Sequence, residues 1–457
     1  MSAGDDRGTG AAAGSDATGD TTGDLLITGL GELATPLGTT PRRGADQARV
    51  LRLRGAEVLC RDGRIAFAGT AEERHRLLGD LPDVPRLDGR GGTLVPGFVD
   101  PHTHLPWAGT REEEFARRLA GATYQEIAAA GGGILSTVRA TRAAGEEELV
   151  GLVHRRLDRM LAWGTTTAEA KSGYGLTLAD ELKQLAAIRT AAAAHAVDLV
   201  PTLLAAHEVP PEHRAARERW VDEICAEIVP ATAEAGLARF CDVFCEHGVF
   251  TVEESRRVLA AGRAHGLLPR LHADEFVDSG GAALAVETGA LSADHLIAVS
   301  PAGIEALAGS GVTAVLLPGT SFFLMKHAYA PARRLIEAGV PVALATDCNP
   351  GSSHTESLPM VLVLAVFELR LAIEEALTAA TLNAACCLGL GEEIGSIEVG
   401  KRADLVLLDA PNLLHLAYHY GINPVAAVVK DGRLVHQSAV PGSAMPGSGG
   451  AAVSAGR

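Results

Sequence analysis

Across the middle of the chain one pattern repeats: a short run of apolar residues, a turn, then a stretch whose apolar positions recur at helical spacing. Eight such runs stand out: Thr93 to Asp100, Thr165 to Ala170, Leu199 to Ala206, Phe240 to Phe244, Leu268 to Leu271, Leu291 to Asp294, Val312 to Leu317 and Pro341 to Thr346. Helical stretches such as Leu178 to Ala194 and Thr251 to His265 separate them. Strand runs alternating with helices predict parallel crossover units. Eight of them predict an α/β fold built on a (β/α)8 barrel over residues 92–390, rather than a doubly wound open sheet.

The flanks have another texture. From Asp24 to Gly91 short apolar runs alternate with turns, as in Leu25-Leu26-Ile27, Ala56-Glu57-Val58-Leu59 and Arg64-Ile65-Ala66-Phe67-Ala68. The same texture returns in Ala403 to Leu408 and Ala426 to Val435, so residues 24–91 and 391–438 are expected to form one small β-rich domain together. Residues 1–23 and 439–457 are rich in Gly, Ala, Ser and Thr and are expected to be disordered tails.

Composition narrows the function classes. The length of 457 residues accommodates one barrel with an appended domain, and 47% apolar with 21% charged residues is the balance of a soluble globular protein. A net charge of -16 without any Lys/Arg cluster argues against a nucleic-acid surface. The seven cysteines are scattered and lack CxxC pairing, so neither a disulfide framework nor a cysteine zinc knuckle is expected, and a reducing cytoplasm fits. The sequence offers no signal-peptide core and no uninterrupted apolar stretch of about eighteen residues, so no membrane span is expected.

In a (β/α)8 barrel the chemistry sits at the C-terminal strand ends, so metal-competent residues should follow the runs directly. They do. The first run leads into His102-Thr103-His104, the second into Lys171-Ser172-Gly173-Tyr174 and the third into His207-Glu208. Glu246-His247 follow the fourth, His272-Ala273-Asp274-Glu275 the fifth, Asp294-His295 close the sixth, and Asp347-Cys348-Asn349 follow the eighth; the seventh ends without a titratable side chain. On an extended segment His102 and His104 project to one side and can share an ion at about 2.0–2.1 Å. Alone, the pair could equally face solvent or cap a helix. With His272 and Asp347 it gives the imidazole and carboxylate donor mix of a catalytic divalent metal with an open position for water. The run Gly131-Gly132-Gly133 lacks a following Lys-Ser/Thr and reads as an active-site loop, not a phosphate cradle.

The segment Val95-Pro96-Gly97-Phe98-Val99-Asp100-Pro101-His102-Thr103-His104, with His272, His295 and Asp347 after the fifth, sixth and eighth runs, resembles the amidohydrolase superfamily. Gly395 to Leu405 is similar to that superfamily's return into its β-sandwich, so the β-rich unit is expected to be a small β-sandwich domain built from both chain ends. Two-metal members carry a carboxylated lysine after strand four. Here that place reads Cys245-Glu246-His247, which implies one metal, and Lys171 is read as a structural or electrostatic residue.

A closer resemblance runs through Gly109 to Phe115, Gly131 to Arg139, Glu169 to Leu176, His272 to Phe276, Ser292 to Leu296 and Thr346 to Ser352. It points to the superfamily members that open the cyclic amide of 4-imidazolone-5-propanoate to N-formimino-L-glutamate in histidine degradation. That resemblance implies one zinc or iron ion per subunit on His102, His104, His272 and Asp347. It implies substrate contacts at Arg111, Tyr174, His207, Glu275, Asn349, Gly351 and Ser352, and a homodimer. It assigns proton transfer from a metal-activated water to Glu275, polarisation of the ring carbonyl to His295, and metal ligation with a hydrogen bond to the water to Asp347. A substrate with a propanoate needs a local cation in so acidic a protein, and a guanidinium binds carboxylate bidentately, which suits Arg111.

Each role has an alternative. Arg111 could be a surface arginine paired with Glu112, Glu113 or Glu114, and Glu275 could orient His272. His295 could satisfy a core hydrogen bond, and Tyr174 and His207 could be wall residues. Two rival functions share the fold: a purine or pyrimidine deaminase with the same ligands, marked by ammonia release from guanine or cytosine, and a scaffold protein that has lost its metal.

Overall fold

The computed structural model describes residues 23–122, 126 and 132–438. The expected tails, apart from Gly23, and Gly131 of the glycine run lie outside the described residues. Eight parallel strands, each hydrogen-bonded to the next, make the central sheet: β1 (Phe98–Asp100), β2 (Thr165–Lys171), β3 (Asp198–Ala206), β4 (Phe240–Cys245), β5 (Leu268–Ala273), β6 (Ser292–His295), β7 (Thr313–Leu316) and β8 (Val342–Leu344). The seam between β8 and β1 is bridged just past their ends. Thr103 pairs with Cys348, the Asp347 amide donates to the His102 carbonyl at 3.1 Å, and the His104 amide donates to the Cys348 carbonyl at 3.0 Å. The molecule is therefore a (β/α)8 barrel, and the bonds closing the seam belong to the residues singled out as metal ligands.

Two further sheets flank the barrel. Four strands, in the order Arg64–Thr70, Ala56–Arg61, Leu25–Thr28 and Arg86–Asp88, make one. The other has six, in the order Arg433–Gln437, Val425–Lys430, Leu405–Leu408, Thr93–Pro96, Glu32–Pro36 and Val50–Leu53, and so interleaves the two chain ends. Because side chains alternate along a strand, the six-stranded sheet serves two cores. Leu33, Leu94, Leu405, Leu407, Ala427 and Val429 pack with Leu25, Ile27, Val58 and Ile65 of the smaller sheet, forming a β-sandwich. Their neighbours Ala34, Val95, Val406, Leu408 and Val428 point the other way and join the barrel core.

The first apolar run is thereby split. Thr93–Pro96 belongs to the sandwich, pairing with Leu405–Leu408 and Glu32–Pro36, and only Phe98–Asp100 enters the barrel. Gly97 makes the crossing. Its amide donates to the Asp404 carbonyl at 2.8 Å, and a Cβ there would collide with the Thr166 side chain. Both halves are apolar because both are buried on two faces, which is why they read as one run.

Candidate metal centre and cavity

His102 and His104 lie just beyond β1, His272 is in β5, His295 closes β6 and Asp347 follows β8, so four strand ends converge. The structure brings together the four expected ligands. Ligating atoms of His102, His104 and His272 lie within 4.8 Å of one another, as do those of His102, His295 and Asp347. Asp347 Oδ1 is 3.5 Å from His102 Nε2 and 3.4 Å from His104 Nε2. All five side chains are buried. Nε2 of His102, Nδ1 of His104, Nε2 of His272 and Nδ1 of His295 have no hydrogen-bond partner, a cost that buried polar atoms rarely bear. A cluster of bare imidazole nitrogens beside a carboxylate suits a divalent cation, so the residues present fit a metal ion.

What fixes the imidazoles is a layer of carboxylates beneath them. His102 Nδ1 is 2.6 Å from Asp294 Oδ2, and His272 Nδ1 is 3.1 Å from Asp242 Oδ1. With the Nδ1 proton given to a carboxylate, Nε2 is left as a lone pair facing the cluster. Asp242 also accepts from the His272 amide at 3.2 Å. Lys171 Nζ sits 2.7 Å from both Glu169 Oε1 and Asp242 Oδ2, fully buried, and Arg270 Nη2 reaches Asp294 Oδ2 at 3.3 Å. Lys171 thus has the electrostatic place expected of it. Neither Asp242 nor Asp294 was assigned a role from sequence. The signal for Asp242 is an acid inside the apolar run Phe240-Cys241-Asp242-Val243-Phe244.

Apart from His102, where burial and Lys171 oppose a proton but hydrogen bonds to Asp294 and Asp347 outweigh them and raise it to about 9, so that a bound ion would have to displace its proton, the imidazoles are held in the form that ligates. Burial drives His104 down to about 3 and lowers His272, while burial and neighbouring imidazoles hold His207 and His295 low, so these rings are neutral. Asp347 stays ionised: burial opposes it, but hydrogen bonds to His102 and His104 hold its carboxyl well below the usual range. Its Oδ2 accepts from Thr320 Oγ1 at 2.6 Å and lies 3.3 Å from Ser352 Oγ. Thr320 is the seventh strand's contribution, three residues past the end of its run. His295 and Asp347 hold φ values of 77° and 54°, left-handed backbone that costs energy and collects at working sites.

Above the cluster opens a cavity of about 900 Å³. Every expected substrate residue lines it, namely Arg111, Tyr174, His207, Glu275, Asn349, Gly351 and Ser352, and so does His247, which had no assigned role. Glu275 Oε2 lies 3.8 Å from His295 Nε2 and Oε1 lies 3.9 Å from Lys326 Nζ, and burial pushes the Glu275 carboxyl up to about 8. Its loop is pinned by Glu246, whose Oε2 accepts from the Phe276 amide at 2.8 Å. His207 Nδ1 donates to the Gly173 carbonyl at 2.9 Å, and its ring stacks on His104 with centroids 5.1 Å apart. Asn349 spends its amide within its own loop, accepting from Gly351 and Ser352 amides at 2.8 Å each and donating to the Asp347 carbonyl at 2.7 Å. Arg111 is paired with Glu114 at 2.8 Å, the alternative weighed from sequence, but inside the cavity wall, not on the surface.

Comparison with known proteins agrees with this architecture. Residues 93–435 match the model of the amidohydrolase family. The imidazolonepropionase of Symbiobacterium thermophilum is 55% identical, over 90% of this chain and 97% of that one. That of Geobacillus sp. strain WCH70 is 50% identical, over 91% and 98%. Among solved structures, a zinc-bound adenosine deaminase from Xanthomonas campestris superposes with a TM-score of 0.65 at 22% identity, covering 90% of this chain and 92% of that chain, which is a likeness of fold.

Proposed function

This chain belongs to the amidohydrolase family, with the imidazolonepropionases as its relatives, and on that premise we propose that it hydrolyses the cyclic amide of 4-imidazolone-5-propanoate to N-formimino-L-glutamate. The observation that carries the reading is the convergence of His102, His104, His272, His295 and Asp347, each imidazole with a buried nitrogen that lacks a partner, below a cavity walled by an arginine. His102, His104, His272 and Asp347 would hold one zinc or iron ion. When bound, such an ion supplies Lewis acidity that lowers the pKa of water from 15.7 toward about 7.

The chain's own residues do the rest. Burial raises the Glu275 carboxyl to about 8, so it is the ionised fraction that accepts the proton of the attacking water, and the acid so formed returns it to the ring nitrogen as the carbon–nitrogen bond breaks, a transfer worth about 10²–10⁴-fold. His295 polarises the ring carbonyl, and its neutral state, kept by burial, lets one ring nitrogen donate. Asp347, besides ligating, orients the water through its carboxylate, which Thr320 holds in place. Tyr174, His207 and the loop of Asn349, Gly351 and Ser352 wall the substrate in, and Arg111 faces its carboxylate. Burial of the strand ends keeps bulk water from the reacting bond.

The proposal extends to setting and assembly. All seven cysteines are free, in keeping with a reducing cytoplasm. Among the described residues no helix is long and apolar enough to cross a membrane. Exposed Phe367, Leu414, Tyr418, Tyr420 and Ile422 give an apolar surface of the kind that a homodimer covers.

The test is direct. Purified protein given freshly generated imidazolone propanoate should remove its ultraviolet absorbance, lose that activity with a chelator, and lose it in the His272→Ala variant. Ammonia release from guanine or cytosine with the imidazolone untouched would replace this reading by that of a deaminase.

A further inference from the structure

Tyr174 stands on a short turn, residues 173–176, between β2 and the helix Leu178–Ala192. Turns at a barrel mouth commonly leave their amide protons to water. Here four consecutive amides go to two side chains of the following helix. Gly173 donates to Glu181 Oε2 at 3.1 Å, Tyr174 to Gln184 Oε1 at 3.1 Å, and Gly175 and Leu176 to Glu181 Oε1 at 2.9 and 2.7 Å. Both acceptors are fully buried and stand three apart on one helical face. Burial raises the Glu181 carboxyl, and the Ser172 hydroxyl and the three amides oppose that rise.

The carbonyls of the turn are answered as well. Arg142 Nε donates to the Gly175 carbonyl at 2.6 Å and Nη2 to the Leu176 carbonyl at 2.9 Å, while the Gly173 carbonyl accepts from His207 Nδ1. Little room is left for another backbone path. Gly173 holds a φ of 107°, and a Cβ there would lie 2.9 Å from His207 Nδ1; one at Gly175 would lie 2.5 Å from the Asp180 carbonyl carbon. The turn thereby fixes two rings of the cavity wall. Tyr174 and His207 have centroids 5.3 Å apart, and they stand 5.9 and 5.1 Å from the ring of His104. With its Nδ1 proton given to Gly173, neutral His207 keeps Nε2 as an acceptor.

Gln184 adds a link to the metal loop, since its Nε2 donates to the Pro106 carbonyl at 2.7 Å, two residues past His104. Neither Glu181 nor Gln184 lines the cavity. A buried carboxylate is costly unless its lone pairs are answered, and the chain bears that cost beneath a turn whose rings reach the substrate space. We propose that Glu181 and Gln184 are positioning residues for the substrate's ring. By taking the amide protons of the turn they set where Tyr174 stands, and by holding the Gly173 carbonyl they keep His207 in the tautomer whose Nε2 accepts from a ring N–H. The inference rests on the imidazolone reading for its substrate and on the turn for its geometry.

Variants assayed on imidazolone propanoate, and titrated in a calorimeter with unreactive imidazole propanoate, test it. Gln184→Met, similar in length but without the acceptor, should raise KM and weaken ligand binding about 10-fold, the scale of a small misplacement of a contact, with kcat and metal content kept within about threefold. Placed on a Tyr174→Ala background the same change should cost less than about twofold, because the ring it positions is gone. Glu181→Gln exchanges one accepting oxygen for a donor and should raise KM likewise, with the loss shrinking on His207→Ala. Should Glu181→Gln fail to fold, the Gln184 series decides alone. Losses that add in full on those backgrounds, or a fall in kcat or metal content as large as the change in KM, would reduce the pair to structural support and overturn the assignment. So would unchanged KM values in variants of a protein that hydrolyses the imidazolone, which leaves the proposed reaction standing. A parent protein that binds imidazole propanoate, more weakly in Gln184→Met, yet leaves the imidazolone intact would keep the positioning role and remove the reaction.

Discussion

At the scale of single residues, the site depends on side chains that never touch substrate. Asp242 accepts a hydrogen bond from Nδ1 of His272 and so leaves Nε2 as the nitrogen that would face an ion. Asp242→Asn removes the negative charge behind that imidazole and leaves Lys171 with one carboxylate fewer, so metal affinity should fall about 10- to 100-fold. Competition with a chromogenic chelator measures this directly, and an unchanged affinity would remove Asp242 from the ligand-orienting layer. His102, His104, His272 and Asp347 were legible in the sequence because metal-competent residues directly after apolar runs are expected at a barrel mouth. Asp242 was not, because its partner lies on the neighbouring strand and only the pairing of Phe244 with His272 brings the two together.

At the scale of elements, the decisive position is Gly97, where one apolar run changes sheets. Binary patterning could not reveal the change, since Thr93–Pro96 and Phe98–Asp100 are buried throughout and no polar residue marks the boundary. The glycine is the one local sign. Gly97→Ala would drive a methyl group into Thr166, the second residue of β2, and overpacking of this kind costs about 1–3 kcal/mol. Urea denaturation should show the midpoint moving down, with the metal content of the folded protein retained; a midpoint equal to that of the parent would mean that β1 and β2 separate freely. The same crossing carries β1 to the metal loop, so the element that ties the sandwich to the barrel also positions His102 and His104.

At the scale of the whole molecule, the sandwich and barrel are joined by a cluster of charge around the buried pair of Lys430 and Asp404. Lys430, from the sandwich, lies 3.0 Å from Asp198 at the start of β3 and 3.1 Å from Asp404, with its side chain 4% exposed. Arg402 reaches Asp404 and Asp431 at 3.1 Å and also meets Asp198. The two chain ends were readable as one β-rich unit from their shared texture, but this joint was not, because Asp198 and Arg402 stand 204 positions apart. Lys430→Met would leave three carboxylates facing one guanidinium, and removing one partner of a buried pair costs about 3–5 kcal/mol. Adding Asp404→Asn should return part of that loss, since it removes the stranded charge and not merely the contact. Denaturation curves of the two variants measure both effects. Activity at 25 °C should persist in each, because the nine residues of β3 put roughly 25–30 Å of strand between Asp198 and the cavity at His207. If Lys430→Met instead abolished metal binding while the protein stayed folded, the sandwich would be coupled to the site through the barrel and not simply docked against its base.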